Sequence, residues 1–154
     1  MRAGRPWSGD AKKHLLKAKV KSGSIVYLLC EFITNPHPKF MFIAHIDYED
    51  NFALIFLINS EIHALIEKSP ALKACQVTLK QSVYTFLDHD SYLNCAKVFQ
   101  DLSSHELVNR LVQNEGSYIG HLNADEILQV IEAVNSAPTL SAEEKDLIIN
   151  SLGE

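Results

Sequence analysis

The stretch Phe86–Cys95, FLDHDSYLNC, puts the groups of a hydrolytic triad side by side: Asp88, His89, Asp90 and Ser91. A serine can attack, an imidazole can move its proton, and a carboxylate can orient the imidazole. Adjacent residues of an extended chain point to opposite faces, so these groups cannot chain hydrogen bonds among themselves. Asp88 and Asp90 are therefore read as turn formers and Ser91 as the entry to a strand, with His89 kept as an outside candidate at the rim of a groove. Two other histidines are candidates for proton transfer, imidazole being the side chain suited to it near neutral pH. His37 stands between Pro36 and Pro38, which hold it out of regular structure, and His45 lies in an apolar run. The chain has no H-E-x-x-H, no Cys-x-x-Cys and neither glycine-rich phosphate loop. The expectation is no metal and no cofactor.

At 154 residues the chain is long enough for one domain with its own core, and 47% apolar with 21% charged residues is ordinary globular composition. Cys30, Cys75 and Cys95 are too few and too far apart for a disulfide framework. Buried thiols in a cytoplasmic protein are expected. Charge is unevenly spread. Residues 1–21 carry seven Lys/Arg against one acid, Asp10, whereas residues 99–154 carry two Lys/Arg against ten acids. The organisation read from this is a basic leader over 1–21, flexible or helical, and a single domain over 22–154. Lys12, Lys13, Lys17, Lys19 and Lys21 are the candidate nucleic-acid contacts of the leader.

Hydrophobic periodicity places the elements that would have to position these groups. Met1–Asp10 reads as a loop and Ala11–Val20 as a short helix capped by Asp10. Ile25–Ile33, Lys39–Ile46 and Phe52–Asn59 read as three strands of an antiparallel meander, with a turn forced at Asn35–Pro38. Cys75–Leu79 and Tyr92–Phe99 follow as strands, with Ile66–Leu72 a connection. From Ser103 the pattern turns helical, breaks at Gly116 to Asn123, and resumes in Ala124–Val134 behind Asn123. A last helix begins at Ser141, with Glu144 completing a capping box. The expected fold is α+β: a small, strongly curved antiparallel sheet or barrel with C-terminal helices.

This order resembles the MazF/PemK/Kid group of toxin ribonucleases, in pieces from about Gly23 to Val134. Gly23-Ser24-Ile25-Val26 is similar to the opening of that family's first strand. Phe52–Ser60 is similar to its strand ending in I-T-S, with Asn59 where threonine is usual and Ser60 matching the serine. Ser91–Val98 resembles the later S-x-V/L strand, and Gly120-His121-Leu122 the G-x-L that follows a short helix. The resemblance implies an SH3-like barrel, a homodimer, RNA as substrate, a cognate antitoxin as partner, and metal-independent cleavage leaving a cyclic phosphate. It also exposes a departure. The family carries an Arg-Pro pair entering its second strand, and here the chain reads Asn35-Pro36-His37-Pro38-Lys39-Phe40. The catalytic roles then fall to Lys39 for the phosphate, His37 for protons and Ser60 for positioning. Lysine lacks the bidentate fork that arginine offers a phosphate. The alternative is a derivative that has lost catalysis and binds nucleic acid or a protein.

Overall fold

The computed structural model describes residues 9–154. Its frame is a six-stranded curled antiparallel sheet built from β1 (Ser24–Cys30), β2 (His37–Asp47), β3 (Phe52–Asn59), β4 (Gln76–Leu79), β5 (Ser91–Asn94) and β6 (Tyr118–His121), in the order β4-β5-β3-β2-β1-β6. Helix α1 (Gly9–Lys19) precedes it, and the short α2 (Ala64–Glu67) and α3 (Pro70–Lys73) lie between β3 and β4. Helices α4 (Ser104–Gln113), α5 (Ala124–Ser136) and α6 (Ala142–Leu152) complete the chain. The fold is α+β, as the sequence suggested.

Strands β2 and β3 contain the runs Met41–Ala44 and Ala53–Ile58, buried without a polar break. Such runs form when both faces of a sheet are covered. Alternation sends Phe42, Leu54 and Phe56 to one face, where α5 and α6 supply Val130, Val134 and Ile148. Met41, Ile43, Ile55 and Leu57 go to the other, against Leu107 and Leu111 of α4 and Leu16 of α1. Gly23 adopts φ +97°, and a Cβ there would lie 2.5 Å from the His121 imidazole. The bare backbone thus lets β6 close against β1, with Leu122 N–H donating to the Gly23 carbonyl at 3.1 Å.

Several sequence expectations shift. Pro38 is inside β2, opposite Leu29, rather than in a turn. The β2–β3 ladder ends at Met41 opposite Leu57, so on that side Pro38 interrupts no ladder. Strand β5 begins at Ser91 and keeps only Tyr92–Asn94 of the expected Tyr92–Phe99 strand, because the Asn94 side chain accepts from Ala96 N–H and turns the chain. Phe99 then makes a single bridge to Ile55. The Gly116–Asn123 break holds a 3₁₀ turn and β6, and the Ile66–Leu72 connection is partly helical. Asp10 sits in the first turn of α1, one residue inside it, and Asn123 makes no side-chain capping bond. The capping box of Ser141 and Glu144 forms as expected. The loop expected over Met1–Asp10 falls, up to residue 8, outside the described residues.

Candidate functional site

The end of β1, the start of β2, the end of β3 and the start of β5 all lie at one end of the sheet. There the segment 80–90 folds over the strands and encloses a cleft of about 220 Å³. His37, Pro38, Lys39 and Phe40 of β2 line it, together with Tyr27 of β1, Ile58 and Ser60 from the third strand's end, and Leu87, Asp88, His89 and Ser91. The three catalytic candidates chosen from sequence, Lys39, His37 and Ser60, therefore border one cleft, and His89 joins them.

Tyr84 secures the overlying segment. Its buried phenol donates to Glu126 Oε1 of α5 and accepts from Asn123 N–H at 3.0 Å. Asp90 accepts from Gln81 N–H at 2.9 Å, closing the segment on itself. The Ser91 hydroxyl donates to the His89 carbonyl at 3.1 Å, so Ser91, His89 and Asp90 form no hydrogen-bonded triad.

Both imidazoles are oriented by backbone. His37 Nδ1 lies 2.6 Å from the Asn35 carbonyl and His89 Nδ1 lies 3.0 Å from the Asp90 carbonyl. A carbonyl only accepts, so Nδ1 must carry the hydrogen in each ring. In the neutral form this leaves the lone pair on Nε2, where it can take a proton. Both histidines are exposed.

Lys39 is placed differently. Its side chain shares the β2 face with Met41, and its ammonium donates to Oδ1 of Asn59. Burial pulls the Lys39 pKa below the usual lysine range, and the neighbouring Cys30 thiol acts against that shift. Ser60 follows Asn59, so alternation turns it towards the face of Ile58. Lys39 thus borders the cleft with its charge already engaged, whereas Ser60 is exposed. The only arginine among the described residues, Arg110, donates to Glu31 Oε1, Glu106 Oε1 and the Leu29 carbonyl. Among the described residues no guanidinium lines the cleft.

The leader lysines lie elsewhere. None of Lys12, Lys13, Lys17, Lys19 and Lys21 lines this cleft. Lys12 pairs with Glu115 at 2.8 Å, Lys19 stands 4.3 Å from the Tyr118 ring centre, and Lys17 stands 6.0 Å from that of Tyr48. Helix α1 itself packs on α4. His45 is remote as well: it contacts Ser151 Oγ of α6 at 2.5 Å and the Phe52 ring, and burial lowers its pKa.

Sequence reasoning passed over Tyr27 and gave Asp88 only a turn. The run IVYLLC reads as uniformly apolar, and nothing in it marks Tyr27 and Leu29 as exposed. Cys30, Cys75 and Cys95 are free and buried, and burial raises each thiol's pKa. Among the described residues no helix is long and apolar enough to cross a membrane.

No protein-family model matches the chain, and a search of curated proteins finds no match. The fold and cleft define its class: an α+β protein whose sheet end gathers two backbone-oriented histidines, two serines, a lysine and an aspartate.

Proposed function

We propose that the chain is a metal-independent endoribonuclease of the MazF/PemK-like kind, working at this cleft. The observation that carries the reading is the presence on one cleft of two imidazoles with Nδ1–H fixed to carbonyls. Cleavage of RNA needs a proton taken from the 2′-OH, charge neutralised on the phosphorane, and a proton given to the leaving 5′-oxygen. One imidazole accepts at Nε2 while the other, protonated there, donates. The 2′-oxygen bonds to phosphorus as the bond to the 5′-oxygen breaks, leaving a 2′,3′-cyclic phosphate and a 5′-hydroxyl. An ammonium has three donors. Lys39 gives one to Asn59 on the Met41 face of β2, so it adds positive charge across the strand rather than a direct bond to the phosphate. Ser60, exposed on the Ile58 face, positions the phosphate in the cleft. On this reading the curled sheet is a diverged SH3-like barrel, the working unit is a homodimer, and a cognate antitoxin is the partner.

The test is direct. Pure protein incubated with RNA in excess chelator should yield fragments ending in cyclic phosphate by mass spectrometry, and expression should arrest bacterial growth. His89→Ala, Lys39→Ala and Ser60→Ala should each relieve the arrest. Intact RNA together with unaffected growth would sink the proposal.

A second reading is a scaffold that binds nucleic acid or protein without cutting. It is favoured by the engagement of Lys39 with Asn59 and of Arg110 with Glu31 and Glu106. Under it, RNA is retained by the protein and recovered whole.

A further inference from the structure

The face that carries Phe42 and Phe56 is covered unevenly. Helix α6 meets β2 near His45, at the far end from the cleft. At the cleft end, the same face of β1 presents Tyr27 at 39% exposure and Leu29 at 45%. These are large apolar groups left open on a strand whose neighbouring positions, Val26, Leu28 and Cys30, are buried.

Tyr27 is also rigidly backed. Its cross-strand partner is Phe40, with ring centres 4.5 Å apart and planes tilted by 45°. Phe40 lies 4.9 Å from Phe86, and Phe86 lies 6.1 Å from Tyr84. The row thus runs from an exposed ring at the cleft to a buried phenol bonded to α5. A tyrosine held in this way loses little freedom when a flat group settles on it.

We propose that Tyr27 is a stacking platform for one unpaired nucleobase of a nucleic-acid strand whose phosphate lies at His37 and His89. This rests on the nucleic-acid reading of the cleft and adds how the strand is gripped. An open aromatic beside proton-bearing groups suits a strand that alternates flat bases with anionic phosphates. Among the described residues Asp88 is the only carboxylate lining the cleft. As an acceptor it suits the amino edge of a base and repels a phosphate, which sets the base on its side. A base paired within a duplex has both faces occupied, so the occupant is single-stranded.

The experiment uses labelled single-stranded oligodeoxynucleotides, which bear bases and phosphates but no 2′-OH and so cannot be cleaved by this chemistry. Binding is followed by fluorescence anisotropy, beside a strand of equal length made entirely of abasic sites. Tyr27→Ala should weaken binding of the base-bearing strand about 5- to 150-fold, the range for loss of one base–aromatic stack. It should leave the abasic strand unchanged, and Tyr27→Phe should bind as the parent does. Equal weakening of both strands, no weakening of either, or no binding of any strand by the parent would overturn the platform. Cleavage of RNA by the parent in chelator reports separately on the catalytic reading, so the two can fail independently.

Discussion

Tyr84→Phe removes one oxygen and thereby tests whether the segment over the cleft is pinned to α5. In the folded protein the phenol is 6% exposed, donates to the Glu126 carboxylate and accepts from Asn123 N–H. Burial and the Glu126 contact both raise its pKa, so it stays a neutral donor across the physiological range. Asn123 is exposed, and water can satisfy its N–H once the oxygen is gone. The cost is then dominated by the bond to a charged acceptor, about 1.5–3 kcal/mol. For a chain of this length that corresponds to a fall in Tm of about 3–12 °C. Urea denaturation of the parent, Tyr84→Phe, Glu126→Gln and the double variant gives the coupling between the two groups. A loss below about 0.5 kcal/mol, the usual range for surface substitutions, would refute the pin. So would an equal loss in the Glu126→Gln background. Because Leu87, Asp88 and His89 lie three to five residues after Tyr84, the same variant should also weaken whatever the cleft binds.

Phe56 is fully buried against Phe42, with ring centres 6.4 Å apart, and Phe56→Ala should cost about 3–5 kcal/mol by urea denaturation. Ser141→Ala breaks the capping box of α6 and should cost about 0.5–2 kcal/mol, seen as a lower thermal midpoint. Burial lowers the pKa of His45, so the unfolded chain takes up this proton at a higher pH than the folded one. That stabilisation is complete above the ordinary histidine value and is lost as pH falls from there towards the folded value. Urea midpoints between about pH 7.5 and pH 5 should therefore fall less steeply in His45→Gln than in the parent, and parallel curves would count against it.

The strands most legible in the sequence are those whose burial is continuous. Phe52–Asn59 is β3 residue for residue, because an eight-residue β-branched and aromatic run has no competing helical period. The capping box of Ser141 and Glu144 was equally readable, since a cap needs only local groups. β6 was hidden because it is four residues long, holds Gly120 and exists only by pairing with β1. The candidate site was legible in part for the same reason. Lys39, His37 and Ser60 could be assigned to one end of the sheet once the meander was read. That Lys39 would spend a donor on Asn59, twenty positions away in sequence, depends on strand register and on which face each residue takes.

The engagement of Lys39 bears on how the cleft can work. A fixed guanidinium would neutralise a phosphorane from the outset, whereas this ammonium is half-buried, bonded to an amide oxygen and, among the described residues, paired with no carboxylate. An amide oxygen satisfies the donor without cancelling the charge, so the positive field still reaches the cleft wall. Under the proposed mechanism the two exposed histidines would supply the mobile protons, and the lysine charge that does not move. Division of labour of this kind predicts unequal consequences at the two positions. Lys39→Met should weaken both chemistry and anion affinity while leaving the shape of the pH–rate profile intact. His89→Ala should remove one limb of that profile, which Lys39→Met should not. If instead Lys39→Met abolished a limb, the ammonium would be the proton donor and the assignment of both protons to imidazoles would be wrong.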